Sequence, residues 1–169
     1  MSSSAISQPA GLPPRRKLIW WLPTALWLCA QALFSTDAFS AEHTGSILWK
    51  IVHAIYSGIT AGQFEVLHFL VRKSAHFCTY GVLSVFAFYS WRATLPGAER
   101  WAFRWGFMAV CTALAAGSLD EIHQSFVPSR TASSKDVLLD TIGAICFQVV
   151  LALTLRRKRS AREFPTEPA

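Results

Sequence analysis

Four apolar stretches of roughly membrane-crossing length, over about 18–34, 74–91, 101–119 and 137–155, constrain this chain more than any other feature of its sequence. About 20 apolar residues wound as a helix cross the hydrocarbon layer of a bilayer, and inside lipid only helices and closed barrels satisfy their own backbone. Composition points the same way. Only 15% of the residues are charged, against about 25% in soluble domains. The predicted fold class is therefore an all-α integral membrane protein, a four-helix transmembrane bundle. Its domain would cover 15–159, between cytoplasmic tails at 1–14 (rich in Ser, Ala and Pro, predicted disordered) and 160–169.

Between the first two runs, Ile47, Leu48, Ile51, Val52, Ile55 and Tyr56 recur at helical spacing while Lys50, His53 and Ser57 fall elsewhere. That pattern predicts an interfacial helix in the first outer loop. The first run, with Arg15–Lys17 before it and Ala38-Phe39-Ser40 after it, also has the layout of a cleavable leader, although its apolar core is longer than usual. Cys29, Cys78, Cys111 and Cys146 lie one in each run. Without short paired spacings they read as small buried hydrophobes rather than a disulfide or zinc framework.

The net charge of +6 would suit nucleic acid, but the basic residues sit in short clusters beside the apolar runs. Such clusters orient a membrane protein, because cytoplasmic loops carry the excess of Lys and Arg. Eleven of the sixteen lie in the N-terminal cluster, the second-to-third connection and the C-terminal tail. Both termini are therefore predicted cytoplasmic. Trp20, Trp21, Trp91, Trp101 and Trp105 fall near the same ends, as an aromatic belt would.

With that topology the remaining polar residues converge on the outer side. His68, Arg72 and His76 are four apart and share one helix face; Asp120 and Gln124 share another, and Asp136 and Asp140 a third. Asp140 lies about one turn inside an apolar run, where an ionisable group needs a partner in the bundle interior. Lys73, Arg130 and His76 are the candidates. Ser133-Ser134-Lys135-Asp136 has the form of a capping box, with Ser133 as N-cap and Asp136 at N3. The candidate ligand-binding residues are Lys73, Arg130, Gln124, Asp136 and Asp140, set around a helix N-terminus that favours anions. The candidate acid–base residues are Asp120, Glu121 and His76. Asp120 and Glu121 are also the candidates for a hard cation such as Mg²⁺. Gly143, Ala144 and Gly117 suit close helix packing.

Arg72-Lys73-Ser74-Ala75-His76-Phe77 with Tyr80, then Asp120-Glu121-Ile122-His123-Gln124-Ser125-Phe126-Val127-Pro128 with Arg130, then Asp136-Val137 with Asp140 and Gly143, resemble the signature of VanZ-like membrane proteins. The resemblance covers roughly residues 65–150, and Ser129 stands where glycine would be expected before the arginine. It implies a small multi-pass protein of the bacterial cytoplasmic (inner) membrane. The family is named after a teicoplanin-resistance accessory protein, so a link to glycopeptide resistance is an expectation. The spacing Arg130, Asp136, Asp140 is also similar to a motif of the type-2 phosphatidic acid phosphatases. The nucleophilic histidine of those enzymes is absent, so their covalent step does not carry over.

Three functions fit these residues. The first is binding of membrane lipids or an anionic cell-envelope precursor, the second metal-assisted hydrolysis or transfer of a lipid phosphate, and the third a structural accessory role in which buried ion pairs specify helix packing. A homo-oligomer is compatible with all three, and no nucleic acid partner is expected.

Overall fold

A computed structural model describes residues 17–36, 41–97, 100–127 and 132–163. All regular structure among them is helical: a 3-10 turn at Ile19–Trp21, then α1 (Leu22–Phe34), α2 (Ala41–Ile55), α3 (Ala61–Thr94), α4 (Phe103–Gln124) and α5 (Ser134–Glu163). The tail at 1–14 and the leader-like Ala38-Phe39-Ser40 lie outside the described residues.

Pro23 stands in the first turn of α1, where its missing N–H costs nothing. The third helix starts earlier than the apolar run implied. Thr60 accepts from the Gln63 N–H at 3.4 Å, and the Gln63 side chain accepts from the Thr60 N–H at 3.0 Å, a capping box that begins a helix of 34 residues. It ends at Thr94, before Leu95-Pro96, where proline disfavours helical geometry for the residue preceding it. At 1.5 Å per residue α3 is about 51 Å long, so His68, Arg72 and His76 belong to one continuous rod with the core residues further along.

That rod is the centre of the fold, with α4, α5 and α1 packed around it. Its interior is built from small and aromatic residues in two groups. Tyr80, Leu83, Ala113 and Ala144 form one; Ala87, Phe88, Trp105 and Ala109 form the other. Polar side chains join the helices internally: the Thr24 and Ser90 hydroxyls share a hydrogen bond of 2.9 Å, and Gln148 Nε2 donates to the Ser84 carbonyl at 2.9 Å. The outside is the apolar side. Leu138, Ile142, Ile145, Val149 and Leu153 form an exposed stripe on α5, at the three- and four-residue spacing of one helix face. A bundle with hydroxyls and amides inside and large aliphatics outside is suited to lipid as its solvent.

Among the described residues one stretch, Ser134–Arg156, is long and apolar enough by itself to cross a membrane, and Ile19–Phe34 is apolar but shorter. The expected run at 74–91 falls within α3, and that at 101–119 coincides with α4 from Phe103 onward; the polar residues of the site and the small packing residues make both helices less hydropathic. The cysteines correct one expectation. Cys29, Cys78 and Cys146 are exposed on the outer faces rather than buried, and all four thiols are free.

Trp21, Trp91, Trp101 and Trp105 gather at one end of the bundle, partly as core rather than belt. Trp105 is fully buried, Trp21 packs edge-on against Trp91 at 4.9 Å, and Arg156 lies 5.0 Å over Trp101. At the other end α2 folds back onto α3. Trp49 meets Phe64 edge-on at 4.9 Å, and Gly45 is close enough to the His68 ring that a Cβ would sit 3.0 Å from it. The aliphatic Ile47, Ile51 and Ile55 of α2 remain more than half exposed, as the amphipathic pattern predicted.

Candidate functional site

The predicted polar residues separate into two groups at the end of the bundle opposite Trp21, Trp91, Trp101 and Trp105. One group ties α5 to its neighbours. Lys73 forms an ion pair and hydrogen bond with Asp136, and its ammonium lies 5.5 Å over the Phe69 ring. Ser133 caps α5 as expected, but its Oγ accepts from the Lys135 N–H at 3.3 Å. The Ser133 N–H, which the N3 acid would receive in a capping box, donates to Glu121 Oε2 of α4 at 2.6 Å. Asp136 is thus taken by Lys73, and a carboxylate from another helix completes the cap.

Glu121 lies beyond the apolar part of α4 and is buried, with Oε1 lacking any partner among the described residues. Burial pushes its carboxyl above the ordinary value of 4.5, and the bond from Ser133 only partly offsets this.

The second group surrounds a cavity of about 520 Å³ between α1, α2, α3 and the end of α4. Its apolar wall includes Phe34 of α1, Ile47, Leu48 and Ile51 of α2, and Val71 and Ala75 of α3. Its floor is polar. The stripe His68, Arg72 and His76 supplies one side of it, and Tyr80, Asp120 and Gln124 supply another. The Tyr80 hydroxyl donates to Asp120 Oδ2 at 3.1 Å and Gln124 Nε2 donates to the same oxygen at 2.9 Å.

Behind the floor, Asp140 is 1% exposed and lies 3.4 Å from His76 Nδ1. Of its two sequence candidates among the described residues, Lys73 and His76, His76 is the one beside it. The contact is longer than a good hydrogen bond, and both Asp140 oxygens otherwise lack partners among the described residues. Gly117 makes room for this carboxylate, because a Cβ there would stand 3.4 Å from Oδ2.

Asp120 and Glu121 are neighbours in sequence but about 100° apart around the helix. They face different elements, the first α3 and the cavity, the second the start of α5. Among the described residues no group of three His, Cys, Asp or Glu side chains is arranged to hold a metal ion. Arg130 lies outside the described residues.

At this end of α3, α4 and α5 the described motif residues come together, and a family model described as VanZ/LLP1 matches residues 19–155. The chain belongs to the VanZ/LLP1 family. VanZ-type proteins are membrane proteins, in keeping with the apolar exterior of this bundle. No curated protein and no solved structure matches the chain.

Two lining residues of this VanZ/LLP1 chain were not among the sequence candidates. Gln31 is nine-tenths buried, with both ends of its amide unpartnered, and Ser35 bonds His123 Nδ1 at 3.3 Å where α1 meets α4. The signal for Gln31 was present. It is an amide inside an apolar run, and such residues face cavities or partners.

Proposed function

We propose that this protein is a multi-pass, four-helix bundle of the bacterial cytoplasmic membrane, with both termini cytoplasmic, that binds a phosphate-bearing amphiphile in the cavity beside α2. The amphiphile is a membrane lipid or an envelope precursor taken from the outer leaflet. The observation that carries this is the cavity itself, which joins an apolar wall from α1, α2 and α3 to a polar floor with a half-buried arginine. Arg72 makes no ion pair among the described residues, and a guanidinium fits phosphate with two parallel bonds. At about 520 Å³ the space lies within the roughly 300–1,000 Å³ of small-ligand sites. Lys73 and Asp136 serve this reading indirectly, by fixing α5 against α3. Glycopeptide resistance, which the family name suggests, would follow if the occupant is an envelope precursor.

The test is thermal stability of the detergent-purified protein with glycerol and polyprenyl lipid phosphates. A ligand at a hundred times its Kd stabilises by about 2.7 kcal/mol. The expected result is a raised midpoint for the wild type and none for Arg72→Gln. A wild type indifferent to every lipid phosphate, or an equal response in both proteins, contradicts the proposal.

A second reading, turnover of the bound ligand, is favoured by His76, an imidazole lining the cavity with a buried carboxylate behind it. This is the arrangement of a general base and the group that orients it. Phosphate release from a bound lipid phosphate, lost in His76→Asn at unchanged lipid affinity, supports that reading. Release unaffected by His76→Asn contradicts it.

A further inference from the structure

Resting on that amphiphile-binding reading, we propose that the cavity selects a zwitterionic phospholipid whose headgroup carries a primary ammonium beside its phosphate, with Arg72 taking the phosphate and Asp120 the ammonium. The charges on the floor point to such a headgroup. His76 is backed by Asp140 at 3.4 Å, and Lys73 is paired with Asp136 away from the cavity. The lining residues of α1 and α2 carry no charge. Beside the His68 imidazole, what remains is one cation, Arg72, and one carboxylate, Asp120, neither with an oppositely charged partner among the described residues. A purely anionic headgroup would satisfy the first and place a phosphate beside the second, and like charges brought together select against a ligand. A headgroup with both signs satisfies both.

Two further observations fit such a ligand. Asp120 is oriented by the Tyr80 and Gln124 donors, and both reach the same oxygen, Oδ2. Oδ1 is left to accept from a third donor. Gln31 lines the same cavity with a carbonyl and an amide that are both unpartnered among the described residues, although buried polar groups are normally bonded. An amide in that position donates to a phosphate oxygen and accepts from an ammonium N–H. The aliphatic α2 face beside it offers a path for the acyl chains.

The experiment is native mass spectrometry of the full chain in detergent, titrated with phosphatidylethanolamine, phosphatidylcholine, phosphatidylglycerol and phosphatidic acid of identical acyl chains, and with soluble O-phosphorylethanolamine. The expected result is phosphatidylethanolamine at least about tenfold tighter than phosphatidylglycerol, the discrimination one charge-assisted hydrogen bond gives. Phosphatidylcholine, which has the charge but no N–H, falls between them. Asp120→Asn should reduce that preference to within about twofold while still binding phosphatidylglycerol, which also reports that the variant is folded. Wild type preferring phosphatidylglycerol or phosphatidic acid, or an unchanged preference in Asp120→Asn, overturns the inference and leaves the amphiphile reading standing. Failure of every phospholipid to bind overturns both. Soluble O-phosphorylethanolamine binding as tightly as the lipid overturns the assignment to a phospholipid.

Discussion

Gly143→Ala is the sharpest structural perturbation available near the site. A Cβ at Gly143 would lie 2.3 Å from the Phe77 carbonyl oxygen, 3.0 Å from its carbon and 3.1 Å from its Cα, whereas ordinary contact begins at 3.4 Å. All three atoms are backbone of α3, so no side chain can turn aside. The helices must part by roughly 1 Å to accept the methyl group. Overpacking of this kind costs about 1–3 kcal/mol, sometimes more, and the better helix propensity of alanine returns at most about 1 kcal/mol. We expect a net loss of about 1–2 kcal/mol, and at about 2–4 °C per kcal/mol for a chain of this size a fall in melting temperature of several degrees. The consequence reaches the site, because Phe77 adjoins His76 and Asp140 lies one turn before Gly143, so lipid binding should weaken as well. Tryptophan fluorescence during thermal unfolding reads the first effect. Gly62→Ala is the control, since a Cβ there meets nothing within 4 Å, and it should be neutral or stabilising by up to about 1 kcal/mol. Gly143→Ala melting with the wild type would refute the close approach of α3 and α5.

Four further outcomes are expected. Lys73→Met leaves the Asp136 carboxylate, 13% exposed, without its cation; it should cost about 1–3 kcal/mol, be partly rescued by Asp136→Asn in a double-mutant cycle, and leave lipid affinity within about twofold. Because burial raises the Glu121 carboxyl, its stabilising contribution is present below its ordinary 4.5 and lost as pH rises through the raised value. Glu121→Gln should therefore show a smaller drop in melting temperature across that interval, and an unchanged pH profile would count against burial as the cause. Gln31→Leu removes an unsatisfied buried amide, so it should stabilise the unliganded protein by about 1 kcal/mol while abolishing lipid retention; destabilisation would mean that the amide is already bonded. Cys29, Cys78 and Cys146 should resist an aqueous, impermeant maleimide in intact membranes, because the bilayer covers the faces that expose them, and labelling there at the rate of a free thiol would contradict the membrane-facing assignment.

Much of the architecture was legible because the apolar runs and the amphipathic period of α2 are local signals. The start of α3 was not located, since Thr60 and Gln63 cap a helix whose first turns intersperse Gln63, Glu65, His68, Arg72 and Lys73 among apolar residues, so that no unbroken apolar run marks them. The partner of Asp140 could be narrowed to three residues by depth, but the sequence could not select His76, which requires the relative rotation of α3 and α5. Asp120 and Glu121 read as a pair because they are adjacent, although a helix turns adjacent side chains apart. The capping box at Ser133 was half right for a related reason: the N-cap is local, but tertiary contacts gave Asp136 to Lys73 and the Ser133 N–H to Glu121. The stripe His68, Arg72 and His76 was visible as spacing, while its role as the floor of a cavity depends on how α2 folds back over it.

The most direct test of the account is to map where a lipid sits. A phospholipid with a photoreactive group in its acyl chain, incorporated into native membranes and crosslinked, should label Phe34, Ile47, Leu48 and Ile51 in preference to the outer α5 stripe of Leu138, Ile142 and Ile145, and Arg72→Gln should remove that preference. Labelling spread evenly over the outer faces, unchanged by Arg72→Gln, would contradict an occupied cavity.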